Sequence, residues 1–453
     1  MTNGILVEKS PLPKSRVLPL IEALLNHYAN EDQYVYERGP CWYVGIGAKA
    51  SLMIDSDGRQ ATIFANGETQ SVAVNGTLAE TARTFLSRHG PPAARIFGQA
   101  GFNYAAHVNG HPYRPGRWPL LALMLPHKEV VFDGNSATIY TVDQATAQEI
   151  QALMTARAKE MPSGGLSVDA SANAADYEDR VSRALIEIGN GAYAKVIIAR
   201  SIELESEIDM PATLRHGRAS NSPARSFLLK HGQFEAIGFS PELVTLVENG
   251  VVTTEPLAGT RSALGTDEEI AARRNELLND PKEIVEHVLS VRAAIEELDE
   301  ICVAGTVSVN DFMSIRQRGS VQHLGSRVSG RLACGKDAWD AFDTLFPSIT
   351  ASGIPKKLAL HAIERLEDTP RELYAGAVLL LEGHGMFEAA LVLRSVFQDK
   401  SRRWLQAGAG IIAQSRPERE LAETNEKLAS IAPYLVARTR AEAVGTSISR
   451  SSA

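Results

Sequence analysis

The sequence has little cysteine, no long uninterrupted apolar run and no excess of positive charge. Its cysteines, Cys41, Cys302 and Cys334, are isolated and have no C-x-x-C spacing, so neither a disulfide framework nor a thiolate metal site is indicated. Lysine and arginine (46) are fewer than aspartate and glutamate (54), which argues against a nucleic-acid partner because phosphate binding needs a clustered positive field. Apolar segments such as WPLLALMLP are too short to span a bilayer.

These absences favour a protein of a reducing compartment that acts on small molecules, without a nucleic-acid or membrane partner. The N-terminal stretch MTNGILVEKSPLPKS lacks the apolar core of a secretion signal. Hydrophobic residues make up 44% and charged residues 22% of the 453 residues, which is typical of a globular protein. We therefore expect a cytoplasmic enzyme or binding protein, either a monomer or a homodimer.

Turn signals between strand-like segments predict antiparallel hairpins. They occur at Asn249-Gly250 in LVTLVENGVVTTEP, at His231-Gly232, and around residues 383–385. Segments with apolar residues at every third or fourth position, such as PKEIVEHVLSVRAAIEELDEI, predict helices between the hairpins. The fold class is therefore α+β, with large antiparallel sheets of hairpins surrounded by helices.

Composition suggests where the chain divides. Residues 161–176, MPSGGLSVDASANAAD, have the composition of a linker, and the Ser/Arg/Ala-rich residues 437–453 that of a flexible tail. We expect an N-terminal α+β portion over 1–160 and a second portion over 177–436 that packs with it as one large unit.

Two predicted helices each carry a pair of glutamates one turn apart. One helix begins after Asp280, with proline at its first position, and the other begins near Ser415 with a glutamate three residues on. The residues concerned are Glu283 and Glu286 on the first helix, and Glu420, Glu423 and Lys427 on the second. Converging carboxylates would suit a hard cation such as Mg²⁺, although glutamates at this spacing also decorate solvated helix faces.

Two further residues have the chemistry of an acid and a base. Lys195 lies in the strand-like AYAKVIIARSIELE, where apolar neighbours would desolvate it and favour a general base, unless it meets solvent at a strand edge. Glu242, in IGFSPELV, would become a general acid in an apolar setting. The alternative for Glu242 is an ordinary glutamate at a helix start.

Several residues could bind an anion. Gly259 and Thr260, in TEPLAGTR, offer unhindered backbone N–H groups and a hydroxyl after a strand. Arg394 interrupts the apolar strand ALVLRSVF and needs a carboxylate or phosphate partner, in the protein or on a ligand. Tyr374 could add a phenolic donor, and His323 is either a ligand or base, or a satisfied core histidine.

The segment QAGAGII allows a close backbone approach at a strand end. The Gly408-Ala409-Gly410 pattern is not a dinucleotide fingerprint, because the third glycine and the following helix start are absent.

With these residues in view, the chain resembles the chorismate-utilising enzymes, which have the fold of anthranilate synthase component I, and within them the salicylate synthases of siderophore pathways. The resemblance covers nearly the whole chain, from about Tyr34 to Leu435. It rests on several ordered motifs: YAKVIIAR, GFSPELV, TEPLAGTR, DPKEIVEH, RQRGSVQHLGS, FPSITASGIPK, RELYAGA and AGAGIIAQSRPEREL.

The resemblance implies a reaction and a role for each residue. Lys195 would activate a water that attacks C2 of chorismate, Glu242 would protonate the departing C4 hydroxyl, and pyruvate elimination from isochorismate would give salicylate, with His323 as a nearby candidate. Mg²⁺ would be held by Glu286 and Glu423, with Glu283 and Glu420 close by, directly or through water. Gly259, Thr260 and Lys427 would bind the ring carboxylate. The enolpyruvyl carboxylate would be bound by Arg394, Tyr374 and the backbone of Gly408, Ala409 and Gly410.

The same resemblance separates this chain from its relatives. Aminodeoxychorismate synthases carry a lysine where Ala258 stands, and anthranilate synthases lack a lysine at the position of Lys195, so water is the expected nucleophile. Thr350 replaces a histidine that is usual in isochorismate synthases. The alternatives are an isochorismate synthase that stops at isochorismate, a non-catalytic protein that binds a metabolite in a chorismate pocket, and an unrelated carboxylate-metal hydrolase.

Overall fold

The computed structural model describes residues 6–91, 94–157, 160, 165–319, 321–383 and 385–438. Its strands are β1 (Leu6–Pro11), β2 (Gln33–Arg38), β3 (Cys41–Ile54), β4 (Gln60–Ala65), β5 (Glu68–Ala73), β6 (Arg95–Ala100), β7 (Leu121–Asp133), β8 (Ser136–Thr141), β9 (Lys195–Glu203), β10 (Arg225–His231), β11 (Phe234–Ser240), β12 (Leu243–Glu248), β13 (Val251–Thr254), β14 (Leu257–Ser262), β15 (Ser308–Arg318), β16 (Val321–Arg331), β17 (Gly353–Ile354), β18 (Ala377–Glu382), β19 (Met386–Leu391), β20 (Ser395–Gln398) and β21 (Arg403–Ile411). Its α-helices are α1 (Val17–His27), α2 (Leu78–His89), α3 (Asn103–Val108), α4 (Gln144–Thr155), α5 (Ala174–Gly189), α6 (Met210–Ser220), α7 (Asp267–Asn279), α8 (Pro281–Asp299), α9 (Ala338–Leu345), α10 (Lys356–Leu366) and α11 (Pro417–Leu428).

All of these strands belong to one hydrogen-bonded sheet, which branches into two arms at the paired strands β3 and β7. The first arm runs from β3 through β2, β10, β11, β20, β21 and β9 to β17. The second runs from β7 through β6, β18, β19, β12, β13 and β16, which also pairs with β14 and β15. Every pairing is antiparallel, so the predicted α+β class and the hairpins are confirmed.

Alternation along the strands gives the first arm two buried faces. Phe227 and Leu229 of β10 join the core cluster that also contains β18 and β19 of the second arm, whereas Leu228, between them, packs in a cluster with Leu24 of α1 and Leu214 of α6. Side chains of both arms thus share one core, and helices cover the outer face of the first arm.

The chain crosses between the arms twice at one place. It leaves β11 for β12 through Pro241 and Glu242, and it returns from β19 to β20 through residues 392–394. The crossings are hydrogen-bonded to the ends of each other's strands, because Leu391 N–H donates to the Glu242 carbonyl (3.1 Å) and Phe239 N–H donates to the Arg394 carbonyl (3.2 Å). The side chains of Glu242 and Arg394 therefore lie where the backbone is not part of the strand pairing.

Local details differ from expectation in two places. Arg394 lies in the crossing and not inside a strand, with a φ of +52° that an L residue seldom adopts. Helix α11 begins at Pro417, two residues after Ser415, so its start lies near the predicted position, but Arg416 is its N-cap and the expected side-chain cap is absent. The Ser415 hydroxyl instead accepts from Ile412 N–H in the preceding turn.

The proposed division of the chain stays a prediction. Helix α5 already begins at Ala174, inside the predicted linker over 161–176. Residues 161–164 of that linker, and 439–453 of the predicted tail, lie outside the described residues. Within the described residues, no helix is long and apolar enough to cross a membrane.

Candidate active site

A cleft opens where the ends of the two arms approach each other. Strands β9 and β21 form one wall, β14 and β16 the other, and helices α8 and α11 pack against these strands. Its volume, including the mouth that is open to solvent, is about 810 Å³. The lining residues that carry polar chemistry or backbone access are Glu242, Gly259, Thr260, Glu286, His323, Thr350, Tyr374, Arg394, Gln406, Gly408, Gly410, Glu423 and Lys427.

Lys195, the first residue of β9, lies fully buried next to the cleft. Its ammonium is 2.8 Å from Glu286 Oε1 and 3.5 Å from the Ser290 hydroxyl. The wall here is formed by Glu286 and by Gly410, where an added Cβ would lie 2.8 Å from Glu286 Oε1 and 3.3 Å from Lys195 Cε. Glycine at position 410 is therefore needed for the close approach of strand, lysine and carboxylate, and Lys195 is no strand-edge residue.

Glu242, in the first crossing, has the properties of a neutral acid. It is 2% exposed, and burial raises its pKa to about 8, against the effect of the Ser348 hydrogen bond, the nearby Thr350 hydroxyl and the charge on Lys195. Its Oε1 accepts from the Ser348 hydroxyl at 2.5 Å, whereas its Oε2 is enclosed and has no hydrogen-bond partner among the described residues. A carboxyl in this state can donate a proton near neutral pH.

Arg394, in the second crossing, is a buried cation without a carboxylate among the described residues. Its Nη2 contacts His323 Nε2 at 2.5 Å and its Nη1 donates to the Arg318 carbonyl at 3.2 Å. Burial, followed by the charge of Arg318, lowers its pKa to about 10. An unpaired guanidinium at a cleft wall is a binding group for an anion.

His323 contacts Arg394, and both of its ring nitrogens have hydrogen-bond partners. Burial and the neighbouring Arg394 lower its pKa to about 3, so the imidazole is neutral at pH 7. Its Nδ1 donates to the Gly259 carbonyl at 2.7 Å, which leaves Nε2 to accept from Arg394. This geometry is that of a satisfied core histidine that fixes Arg394 and the Gly259 turn, and its catalytic role stays a prediction.

The remaining predicted anion-binding residues lie around the same cleft. Gly259 has a φ of +66°, which favours glycine, and Thr260 follows it in β14. The Lys427 ammonium is 2.8 Å from both the Gly408 carbonyl and Glu423 Oε1. Tyr374 is buried, which raises the pKa of its phenol, so it is a neutral donor.

Of the segment Gly408 to Gly410, the two glycines line the cleft, whereas Ala409 does not. Gly408 and Gly410 face the cleft, and because side chains alternate along β21, the residue between them points to the other face of the strand. The predicted backbone contact with substrate at residues 408–410 stays a prediction.

The four predicted metal glutamates are each paired with a cation. Lys195 and Lys427 pair with Glu286 and Glu423, whereas Lys282 is 3.1 Å from Glu420 and Arg261 is 3.1 Å from Glu283. Helix α8 begins as predicted, since the Asp280 carboxylate accepts from the N–H groups of residues 282 and 283. Among the described residues, no three His, Cys, Asp or Glu side chains converge closely enough to hold a metal ion.

The donor set nevertheless fits a hard divalent cation. Burial and the nearby Glu286 raise the pKa of Glu283 to about 7, and burial and the nearby Glu423 raise the pKa of Glu420. Glu420 Oε2 is buried and has no hydrogen-bond partner among the described residues. Carboxylate oxygens, one of them without a partner in the described part of the chain, are the type of ligand that Mg²⁺ prefers.

Sequence reasoning missed three residues that support the site. Ser348 holds Glu242, and although it lies in the motif FPSITASGIPK, no spacing rule singles it out. Burial lowers the pKa of Lys282, but the charges of the four glutamates, with Glu420 the strongest, outweigh it and raise that pKa. Its position next to Glu283 in the sequence could have pointed to it. The Arg318 side chain donates from Nε to the Pro241 carbonyl at 3.1 Å, and the Arg318 backbone carbonyl accepts from Arg394. Arg318 therefore contacts both crossings.

A fold of this topology with a buried acid, a buried lysine and an unpaired arginine around one cleft defines an enzyme that binds a small anionic molecule. A family model described as chorismate binding enzyme matches residues 31–433. The chain therefore belongs to the chorismate-binding enzymes.

Individual relatives cover most of the chain. It is 39% identical over 421 residues to a salicylate synthase of Mycolicibacterium paratuberculosis, which is 92% of this chain and 93% of that protein. It is 30% identical over 414 residues to anthranilate synthase component 1 of Spirochaeta aurantia, which is 85% and 86% of the two chains.

Solved structures agree on the fold. Anthranilate synthase component I from Streptococcus pneumoniae superposes with a TM-score of 0.75 at 23% identity, over 87% of this chain and 92% of that one. The menaquinone-specific isochorismate synthase from Escherichia coli gives a TM-score of 0.72 at 23% identity, over 96% and 95% of the chains. The predicted anthranilate synthase component I-like fold is thus confirmed, and the chain is a chorismate-utilising enzyme.

Proposed function

We propose that this enzyme is a salicylate synthase that converts chorismate to isochorismate and then to salicylate and pyruvate, with Mg²⁺, for siderophore biosynthesis. The assignment to salicylate synthase within the chorismate-binding family is supported by the 39% identity to a salicylate synthase over nearly the full length of both chains. The single structural observation that carries the first step, from chorismate to isochorismate, is the buried Lys195 and the buried Glu242 beside one cleft, which supply a base and an acid for exchanging a hydroxyl between two ring carbons.

In the first step, water attacks C2 while the C4 hydroxyl departs. Lys195 takes a proton from the attacking water, the ring double bonds shift, and Glu242 gives its proton to the departing oxygen, which leaves as water. The Lys195 ammonium lies 2.8 Å from Glu286 Oε1. The base role therefore requires this contact to break, or the ammonium proton to pass on, before Lys195 can take a proton from the water that attacks C2.

The two carboxylates of chorismate need two separate binding groups. Arg394, which has no carboxylate partner among the described residues, would pair with the enolpyruvyl carboxylate, together with the phenol of Tyr374 and the backbone at Gly408 and Gly410. The N–H groups of the Gly259 turn, the Thr260 hydroxyl and Lys427 would bind the ring carboxylate. Two anchors on one small ring fix its orientation between acid and base.

Mg²⁺ would be held by Glu286 and Glu423, with Glu283 and Glu420 directly or through water. When bound, it would supply positive charge against the ring carboxylate. The second step moves a hydrogen from C2 to the enolpyruvyl methylene and expels pyruvate. That step requires mainly a constrained substrate conformation, so we assign no residue to it.

Water is favoured over ammonia as the nucleophile. Ala258 lines the cleft at the position where, by the family pattern, aminodeoxychorismate synthases carry a lysine. Thr350 also lines the cleft, and its hydroxyl lies near Glu242, whose Oε1 accepts from the Ser348 hydroxyl. The second candidate, an isochorismate synthase that stops after the first step, is consistent with the same acid and base.

The test is incubation of the purified chain with chorismate and Mg²⁺, with salicylate followed by fluorescence and pyruvate by a coupled assay. Equal amounts of salicylate and pyruvate support the proposal. Accumulation of isochorismate without pyruvate supports the second candidate, and anthranilate formed when ammonia is added would contradict water as the nucleophile. No turnover at any metal concentration would favour a binding role.

A further inference from the structure

Ser348 links a backbone turn to the carboxyl of Glu242 by hydrogen bonds. It lies in the turn between α9 and the 3₁₀ turn Ile349–Ala351, and its side chain is buried. Its hydroxyl oxygen accepts from Thr350 N–H at 3.2 Å. The same hydroxyl is 2.5 Å from Glu242 Oε1. One side chain thus connects a rigid backbone turn to the proposed acid.

The direction of the Ser348 to Glu242 bond follows from hydrogen-bond accounting. A hydroxyl has one proton to donate, and among the described residues Glu242 Oε1 is the only acceptor for the Ser348 proton. If Glu242 carried its proton on Oε1 and donated it to Ser348, the serine proton would be left buried without an acceptor. Donation from Ser348 to Oε1 avoids this and leaves Oε2, which has no partner, as the oxygen that can carry the acidic proton.

We propose that Ser348 is a positioning residue that keeps Glu242 Oε1 as a hydrogen-bond acceptor and so places the acidic proton on Oε2, the oxygen available to the substrate. The inference rests on the proposed function, in which Glu242 protonates the departing C4 hydroxyl. As the C4–O bond breaks, the Oε2 proton passes to the leaving oxygen and the carboxylate keeps the electron pair. The resulting negative charge is stabilised by the hydroxyls of Ser348 and Thr350 and by the charge of Lys195.

The test compares isochorismate formation from chorismate by the wild type, S348A and S348T. S348A should lower kcat about ten- to hundredfold with little change in KM, because the acid loses its orientation. Activity should fall at alkaline pH as Glu242 ionises, with a midpoint near 8 in the wild type. That midpoint should rise in S348A, because the hydrogen bond that favours the carboxylate is gone. S348T keeps the hydroxyl and should restore both kcat and the midpoint.

A matched control separates positioning from general damage to the turn. The Ser352 hydroxyl is also buried and donates to the Ser348 carbonyl at 2.9 Å, yet no hydrogen bond joins it to Glu242. S352A should leave the alkaline midpoint unchanged. Because Ser348 acts through Glu242, S348A should add no further loss to an E242Q variant.

Each failure has its own signature. If the wild type turns over chorismate but S348A keeps the wild-type kcat and midpoint, or if S348A and E242Q losses add fully, Ser348 is not a positioning residue. If E242Q itself stays fully active, or the wild type has no turnover, the proposed function fails first. Should S348A not fold, S348C offers a weak thiol donor, for which the same upward shift of the midpoint is expected and its absence would overturn the inference.

Discussion

Replacing Arg394 by methionine should make the protein more stable and less active. The side chain is 8% exposed and its charge has no carboxylate partner among the described residues, so the folded protein without substrate holds an uncompensated buried cation. Methionine has a similar length, carries no charge and fills irregular apolar space. The substitution therefore removes the charge while keeping most of the packing.

The size of the effect can be worked out from two opposing contributions. Lowering the Arg394 pKa to about 10 corresponds to about 3 kcal/mol against the charged form at neutral pH. Because the folded pKa is depressed and both folded and unfolded states are protonated at pH 7, that penalty is present in full throughout the neutral range. Methionine would leave the Nε2 of His323 without its donor, which costs roughly 1–2 kcal/mol, whereas the Arg318 carbonyl, whose bond to Arg394 is only part-buried, can accept from water instead. We expect a net gain of about 1–2 kcal/mol in the free energy of unfolding.

Urea unfolding of R394M, followed by fluorescence at pH 7, measures this gain directly. The matched control is R225M, because Arg225 is also mostly buried but pairs with Glu388, whose side chain is fully buried. Breaking that pair should destabilise the protein by about 3 kcal/mol, so the two arginines predict opposite signs. For R394M, kcat/KM for chorismate should fall by about a hundredfold or more. An R394M protein that is destabilised as much as R225M would refute the view that Arg394 is held unpaired for a ligand.

Three further predictions concern the proposed base, a proposed metal ligand and a glycine of the cleft wall. Lys195→Ala should abolish isochorismate formation but leave pyruvate release from supplied isochorismate; chorismate turnover near the wild-type rate would exclude Lys195 as the base. Glu423→Gln should raise the Mg²⁺ concentration needed for half-maximal activity at least about tenfold, since a metal-binding charge is lost, and an unchanged titration would remove Glu423 from the metal ligands. Gly410→Ala places a Cβ 2.8 Å from Glu286 Oε1, so kcat/KM should fall while the urea midpoint changes little, and a fully active variant would contradict the need for close approach.

The elements with a local signal were predictable from the sequence. The hairpin of β12 and β13 turns at Asn249-Gly250 as the Asn-Gly rule predicts, and α8 begins after Asp280 because an aspartate cap precedes a proline. Helix α11 begins close to the predicted position, but Ser415 does not cap it, because the Ser415 hydroxyl accepts from the backbone of the preceding turn. Such caps are decided by a few backbone angles that composition does not specify.

What the sequence could not predict is how the site's charges are paired, since this depends on where the chain crosses between the arms. Glu242 and Arg394 are 152 positions apart in the chain, yet both emerge at one crossing because β11 pairs with β20 and β12 with β19. No local pattern encodes that juxtaposition, nor the choice of Lys195 as the partner of Glu286 or of Lys282 as the partner of Glu420. Residues in a crossing are outside the strand pairing and lie at the edge of two cores. Their side chains can therefore be buried and still face a cleft. This explains why a carboxyl with a raised pKa and a guanidinium with a lowered pKa line the same cleft, where burial shifts both pKa values and a dianionic substrate could use both groups.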